Sequence, residues 1–303
     1  MPLTNELLSD IRIPIPLQTD YVGVYLTNRC FLRCPYCVTN INEPFINRPA
    51  GVELDPVSWI QGLNRLGLPA GVPLTLQGGE PFLYPRIWEL LEGLRHKVDI
   101  LTALPPHVTV DRFKALRSLA WNQRLAPYPT IRVSFHQGQN DFRVLIRRIK
   151  ELQEECGLSI GLYHIDHPAY PELIEAIRAE ARAEGVEFRT KVFLGEHRGK
   201  MYGEYRYPDA CRGKGVLRDK VWCRNTVFPI GPDGNIYKCH ADLYAGRSHL
   251  ALGNIRDETL RLDQQYRPCS FYGLCSPCDI KVKTNHLQQF GYTSVDIRFD
   301  EEA

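Results

Sequence analysis

Short, almost unbroken apolar runs recur along the first two thirds of the chain, and each is followed by a stretch in which apolar residues return every three or four positions. The run "YVGVYLTN" (21–28) predicts a strand, "DPVSWIQGLNRLG" (55–67) a helix, and "VPLTLQG" (72–78) a second strand ending in glycines. Together they make one βαβ unit. The alternation continues through helix "RIWELLEGLRH" (86–96), strand "VDILTAL" (98–104), helix "VTVDRFKALRSLA" (108–120), strand "IRVSFH" (131–136), a helix at 141–156 and strand "SIGLYHI" (159–165). On helix 141–156, Phe142, Leu145, Ile146, Ile149 and Leu152 share one face, and Cys156 extends that stripe as a small buried hydrophobe. Pro171 opens a further helix with Leu173, Ile174, Ile177 and Ala181 on its apolar side; Gly185 closes it before strand "EFRTKVFL" (187–194). Six short apolar strands separated by amphipathic helices predict a parallel sheet in an α/β fold, suited to an incomplete (β/α) barrel or to an open sheet.

Near residue 195 the periodicity stops. "GEHRGKMYGEYRYPDACRGKGVLRDKVW" is rich in Gly, Tyr and charge, which predicts a linker or a loop over a site. "TVFPIGPDGNIYKCH" (226–240) then sets two short strands around a Pro-Asp-Gly turn, a hairpin signal.

Charge and composition narrow the function. Thirty-seven basic against 35 acidic residues give a net charge of +2, without the basic excess typical of nucleic-acid binders. No stretch approaches 18 apolar residues and the first twenty have no signal-peptide pattern, so a soluble cytoplasmic protein is expected, with no membrane partner. Ten cysteines bunched near residue 30 and after residue 210 suit metal or redox chemistry better than a secreted disulfide scaffold.

"NRCFLRCPYC" (28–37) places Cys30, Cys34 and Cys37 at spacing C-x3-C-x2-C in the loop after the first strand. Zinc usually takes four ligands in paired spacing; three thiolates on an iron–sulfur cube leave one iron open to a bidentate small molecule. With Tyr36 before the last cysteine, "LTNRCFLRCPYC" resembles the signature of the radical S-adenosylmethionine (SAM) superfamily. A second element, Gly78, Gly79, Glu80 and Pro81 in "LQGGEPFLYP", follows the second strand, where the family would have it. The resemblance implies a [4Fe–4S] cluster on Cys30, Cys34 and Cys37 that binds SAM, and a Gly78–Glu80 stretch receiving the methionine ammonium, with Glu80 supplying charge. It also implies Tyr36 near the adenine and Ser134 at the SAM ribose or carboxylate. Reductive cleavage of SAM then gives a 5′-deoxyadenosyl radical, the electron coming from an external reductant such as flavodoxin or ferredoxin. Thr102-Ala103 stands where many relatives have Asn-Gly, and His136, His164 and His167 sit at or near strand ends, each open to a structural or a catalytic role.

Cys223 and Cys239, separated by fifteen residues, with Cys275 and Cys278 farther on, resemble the short "twitch" version of the SPASM extension. That resemblance implies an auxiliary [4Fe–4S] cluster; a zinc unit is the alternative, Cys269 is an alternative ligand, and Cys211 is open between ligand, hydrogen-atom donor and bystander. The expected plan is a leader (1–20), a partial (β/α)6 TIM-like barrel (21–195), a linker and twitch-type unit holding the hairpin (196–280), and a tail (281–303). Only 29 residues precede Cys30, so neither a cobalamin-binding region nor a winged-helix peptide-docking module is expected. The expected enzyme oxidises or epimerises a small polar metabolite such as a sugar or aminocyclitol. A peptide maturase working with a separate docking protein is the alternative, and a non-enzymatic electron carrier a third.

Overall fold

The structure is a computed structural model that describes residues 12–34, 37, 53–211, 221–284 and 291–299. Six strands form its centre: β1 (Tyr21–Thr27), β2 (Leu74–Gly78), β3 (Val98–Thr102), β4 (Ile131–Ser134), β5 (Ile160–Asp166) and β6 (Phe188–Val192). Helices α1 (Pro56–Asn64), α2 (Ile87–Gly93), α3 (Val110–Lys114), α4 (Phe142–Cys156) and α5 (Pro171–Ala183) alternate with them. Each strand pairs parallel with the next. The sequence pattern located all six strands to within a few residues. Of the helices, α3 is much shorter than the expected 108–120. Beyond Ala115 the chain turns instead, so that the Trp121 carbonyl accepts the first N–H of β3, from Val98, at 3.0 Å.

Local chemistry sets the helix ends. Asp55 accepts from the N–H groups of Val57 and Ser58 at the start of α1, and Asp141 from those of Arg143 and Val144 at the start of α4. Gly157, at φ 63°, closes α4 in the left-handed region.

The strands have two unlike faces. Val22, Val24, Leu26, Leu74, Leu76, Val98, Ile100, Ile131, Val133, Ile160 and Leu162 pack with the apolar sides of the helices into one core. The expected stripe of α4 is buried there, and Cys156 is half-buried against it. The register puts the intervening residues together on the opposite, polar face: Tyr21, Tyr25, Thr75, Gln77, Asp99, Arg132, Ser134, Tyr163, Arg189 and Lys191. A Cβ on Gly23 would run into Gln77 and the Tyr21 ring, so this glycine makes room for polar neighbours. At the lower end of that face Asp99, fully buried, pairs with Arg124 at 2.7 Å and Arg132 at 3.2 Å.

After residue 220 come β7 (Val221–Asn225), β8 (Val227–Ile230), β9 (Asn235–Ile236), α6 (His240–Tyr244), β10 (Gly253–Asn254), β11 (Arg267–Cys269), α7 (Pro277–Ile280) and β12 (Val295–Arg298). The expected hairpin is β8–β9, but β8 also pairs parallel with β1, Phe228 opposite Val22. The main sheet therefore runs β10-β9-β8-β1-β2-β3-β4-β5-β6, across the expected boundary at 195/196. A separate antiparallel sheet, β11-β7-β12, carries Cys223 and Cys269. Two expectations of irregular chain also change. Ile13–Pro14, from the expected leader, pairs with Leu66–Gly67, and Gly195–His197 forms a hairpin with Lys200–Tyr202. Ile13 is apolar and fully buried, so burial rather than local periodicity fixes that segment.

Candidate active site and cysteine-lined cavity

β1 leads directly into the cysteine loop. Cys34 is buried, Cys30 and Cys37 are half-buried, and the three pack together with Leu32 and with Ala103 at the end of β3. The Cys37 N–H donates to the Cys34 carbonyl at 3.1 Å, the Leu32 N–H to Cys30 Sγ at 3.4 Å, and the Arg33 N–H to Gln139 Oε1 at 3.1 Å. Tyr36 lies outside the described residues.

The Gly-Gly-Glu-Pro turn is seated on the start of this loop. The Gly79 N–H donates to the Thr27 carbonyl at 2.9 Å and the Glu80 N–H to the Arg29 carbonyl at 2.7 Å. Gly78 has φ 133°, and a Cβ on Gly79 would fall on the Arg29 carbonyl. Only glycine lets the two backbones meet there. Pro81 and Phe82 are buried in the short turn that Glu80 caps.

The Glu80 carboxylate is 1% exposed and accepts from Phe82 N–H at 3.1 Å, Thr102 Oγ1 at 2.7 Å and Ala103 N–H at 2.7 Å. Burial pushes it up to about 7, against those three donors. Thr102 and Ala103, the departure from the Asn-Gly turn, are thus Glu80's partners, and Ala103 also touches the cysteines. Sequence reading had no means of assigning them that role. Leu104 follows at φ 54°, a strained position for a branched residue, held by Thr102 Oγ1 and by Arg148, which donates to the carbonyls of Leu104, Pro105 and Val108.

Three thiols in one cluster beside a glycine-walled backbone turn fit an iron–sulfur cube with a chelating amino acid. The thiols are soft ligands, and the glycines bring the turn's bare backbone against the start of the cysteine loop, where a Cβ on either would meet the carbonyls of Thr27 and Arg29. Ser134, half-buried on the polar face, ends β4, and Asn140 Nδ2 donates to its carbonyl at 3.2 Å. His136 lies two residues on; burial first, then the charges of Lys191 and His164, push it down to about 4. His164 falls on the helix-facing side, buried, with Nδ1 3.1 Å from the Phe135 carbonyl, the bond of a structural histidine. His167 sits in a loop, accepting from the Ala169 N–H and packed on Tyr170 and Phe193. Lys191, one same-face step beyond the level of Ser134 toward the carboxy-terminal ends of the strands, is a further residue of this face. Alternate polar residues in "FRTKV" were the signal available for it.

A second cavity lies in the carboxy-terminal part, lined by Cys223, Cys239, Cys269 and Cys275 together with Lys238, Asp242, Arg247 and Asp279. The hydrogen bond between Cys223 and Cys269, with the Lys238 ammonium nearby, favours the thiolate on Cys269 and pushes Cys223 up. Burial raises Cys239 and Cys275. Cys278 is not in that lining. Its thiol is raised by burial, hydrogen-bonds Ser276 and feels Lys281 and Lys191, on the side toward the main sheet. Cys211 is buried beside Cys275 in the small apolar cluster beneath the cavity. Asp279 fastens the two sides, accepting from the His240 and Ala241 N–H groups and lying 2.7 Å from His240 Nδ1. α6, which starts after Cys239, ends at Tyr244, whose hydroxyl meets that of Tyr25 at 2.9 Å on the polar face.

The profile of the Radical SAM superfamily matches residues 24–156, the stretch that holds both motifs. That segment is a radical SAM domain. Proteins of this superfamily use a [4Fe–4S] cluster and SAM, and the radical SAM domain here offers three thiols and a turn suited to both. Among curated relatives, a GTP 3′,8-cyclase of Haemophilus influenzae (strain PittGG) is 27% identical over 161 residues, covering 49% of this chain and 45% of that protein. A PqqA peptide cyclase of Ruegeria pomeroyi is 29% identical over 104 residues, 34% of this chain and 26% of its own. The chain thus matches less than half the length of either. Among solved structures, anSMEcpe with bound AdoMet superposes with TM-score 0.52 at 16% identity, covering 80% of this chain and 78% of its own. Streptococcus suis SuiB bound to S-adenosylmethionine gives 0.51 at 17%, covering 81% and 65%. At these identities they establish the fold alone, an α/β fold around a parallel-rich sheet. Among the described residues no helix is long and apolar enough to cross a membrane.

Proposed function

We propose that this radical SAM enzyme carries an auxiliary [4Fe–4S] cluster and acts by hydrogen-atom abstraction on a small polar substrate, in an oxidation or epimerisation. The observation that carries the reading is the seating of Gly79 and Glu80 on the backbone of Thr27 and Arg29, which joins the two motifs into one site. We read the sheet as a partial (β/α)6 barrel whose polar face is the lumen, at the end where such folds build active sites.

Cys30, Cys34 and Cys37 hold the cluster, the Gly78–Gly79 backbone receives the amino-acid end of SAM, and Ser134 its ribose or carboxylate. Glu80 positions that turn through its three hydrogen bonds rather than offering its charge to the ammonium. When bound, cluster and SAM supply a 5′-deoxyadenosyl radical, given one electron from an external reductant such as flavodoxin or ferredoxin. The chain's own part is to orient the substrate against that end of the lumen and to keep water out.

For the auxiliary site we favour Cys223, Cys239, Cys269 and Cys275 over a set containing Cys278, because these four share one cavity. Among the charged groups of that cavity Lys238 favours the thiolate on Cys269, while Arg247 is paired with Asp242 at 2.8 Å. Single Ala variants at Cys269 and Cys278 test the choice: the first is expected to remove the auxiliary-cluster electron paramagnetic resonance signal, the second to retain it. A zinc-containing unit with no second cluster would overturn the assignment.

A peptide maturase is the second reading, favoured by the likeness to the PqqA peptide cyclase, as the likeness to GTP 3′,8-cyclase favours a small molecule. Release of 5′-deoxyadenosine by the reconstituted anaerobic protein, with panels of metabolites and of peptides, separates them. Acceleration by a metabolite is expected, and acceleration by peptides alone would reverse the choice.

A further inference from the structure

Charge on the polar face is unbalanced. Across the lumen positions of the six strands the only carboxylate is Asp99, and it is already shared by Arg124 and Arg132. Arg189 pairs with Glu187 at the rim. That leaves Lys191, in the penultimate position of β6 and opposite Ile165, at the end of the sheet where the cysteine loop lies.

Among the described residues its ammonium has no carboxylate partner; its contact is with the Tyr163 ring, 5.5 Å from the centroid. The charges nearest to it are mostly of its own sign: Arg132 below and Lys281 from the carboxy-terminal unit, with Cys278 beside them. His136 approaches from the end of β4. The loop that follows it is tied to the cysteine loop by Gln139 and Arg33.

A half-buried amine that faces other cations and no acid holds its charge weakly, burial first and then Arg132 and Lys281 pushing it down to about 7, and an anion beside it restores that charge. A lysine is a compact charge with three donors, suited to a carboxylate or a phosphate. We propose that the substrate is an oxyanion whose carboxylate or phosphate pairs with Lys191 in the lumen. The proposal rests on the radical SAM reading for the identity of the lumen as the substrate site, and it narrows the substrate class within that reading. A neutral sugar or a purely cationic aminocyclitol would leave Lys191 unmatched. Tyr163 and His136 line the same approach and hold the anion's remaining oxygens.

The test needs neither turnover nor a known substrate. The reconstituted full chain is labelled with acetic anhydride, and the rate at Lys191 is followed by mass spectrometry with Lys150, exposed and paired with Glu184, as internal reference. Inorganic phosphate and succinate serve as the two probes and glycerol as the neutral control. The expected result is that one or both anions, at concentrations about tenfold above their Kd, slow labelling of Lys191 by about tenfold, as that occupancy dictates, and leave Lys150 unchanged. Protection by phosphate alone assigns a phosphorylated substrate, and protection by succinate alone a carboxylated one. Equal rates with and without both anions would overturn the proposal. So would protection by SAM alone, which would give Lys191 to the cofactor, or labelling too slow to measure before any anion is added. Because SAM cleavage is not read, a chain that fails to cleave SAM sinks the radical SAM reading separately.

Discussion

Glu80 carries a carboxyl group into a place almost without water and spends both oxygens on protein donors. Its folded-state value is raised from 4.5 to about 7, chiefly by burial. The sign follows: the folded chain binds this proton more tightly than the unfolded one, so Glu80's contribution to stability is full below about pH 4.5 and is lost as pH rises through 7. Urea titrations of the apo chain at pH 5 and pH 8 are expected to show the wild type losing stability relative to Glu80→Gln between the two. An equal difference at both values would contradict the burial of that charge. Gly79→Ala acts on the same contact from the other side, since its methyl would fall on the Arg29 carbonyl and push the cysteine loop away. Iron in the reconstituted protein is expected to fall from about eight to about four per chain, the loss of one four-iron cube, with the auxiliary signal intact. Cysteine spacing and the Gly-Gly-Glu-Pro run were legible in the sequence because both are local. The contacts of Thr102 and Ala103 with Glu80, and the place of Lys191, were not, because these residues reach the site from other strands and their local patterns do not say what they meet.

The strands and helices of the first two thirds announce themselves through period and caps. Asp141, the apolar stripe from Phe142 to Leu152 and Gly157 together specify α4 almost residue by residue. β8 behaves differently. Its hairpin with β9 was legible from the Pro-Asp-Gly turn, whereas its parallel pairing with β1, some two hundred residues earlier, has no local signature. Phe228, 1% exposed, is the core residue of that junction. Phe228→Ala is expected to cost about 3–5 kcal/mol in chemical denaturation, the usual range for emptying a buried aromatic site. A loss below about 1 kcal/mol would mean that β8 is not packed into the main sheet.

At the scale of the whole molecule, one group of thiols follows β1 and a second lines the carboxy-terminal cavity. The amino-terminal group follows β1; the carboxy-terminal cavity is tied to the same strand by β8, by the Tyr25–Tyr244 hydroxyl pair, and by Lys283, which reaches Asp20 at 2.7 Å. The proposed auxiliary cluster would then sit in a part of the fold fastened to β1, separate from the loop that holds Cys30, Cys34 and Cys37. Everything proposed for the site depends on Cys30, Cys34 and Cys37 holding the cluster that cleaves SAM. The most direct test is 5′-deoxyadenosine formation under dithionite by the anaerobic triple variant Cys30→Ala, Cys34→Ala, Cys37→Ala. The product is expected to disappear while the far-ultraviolet circular dichroism of the chain is unchanged, because the core of the sheet lies elsewhere. Undiminished SAM cleavage by that variant would contradict it.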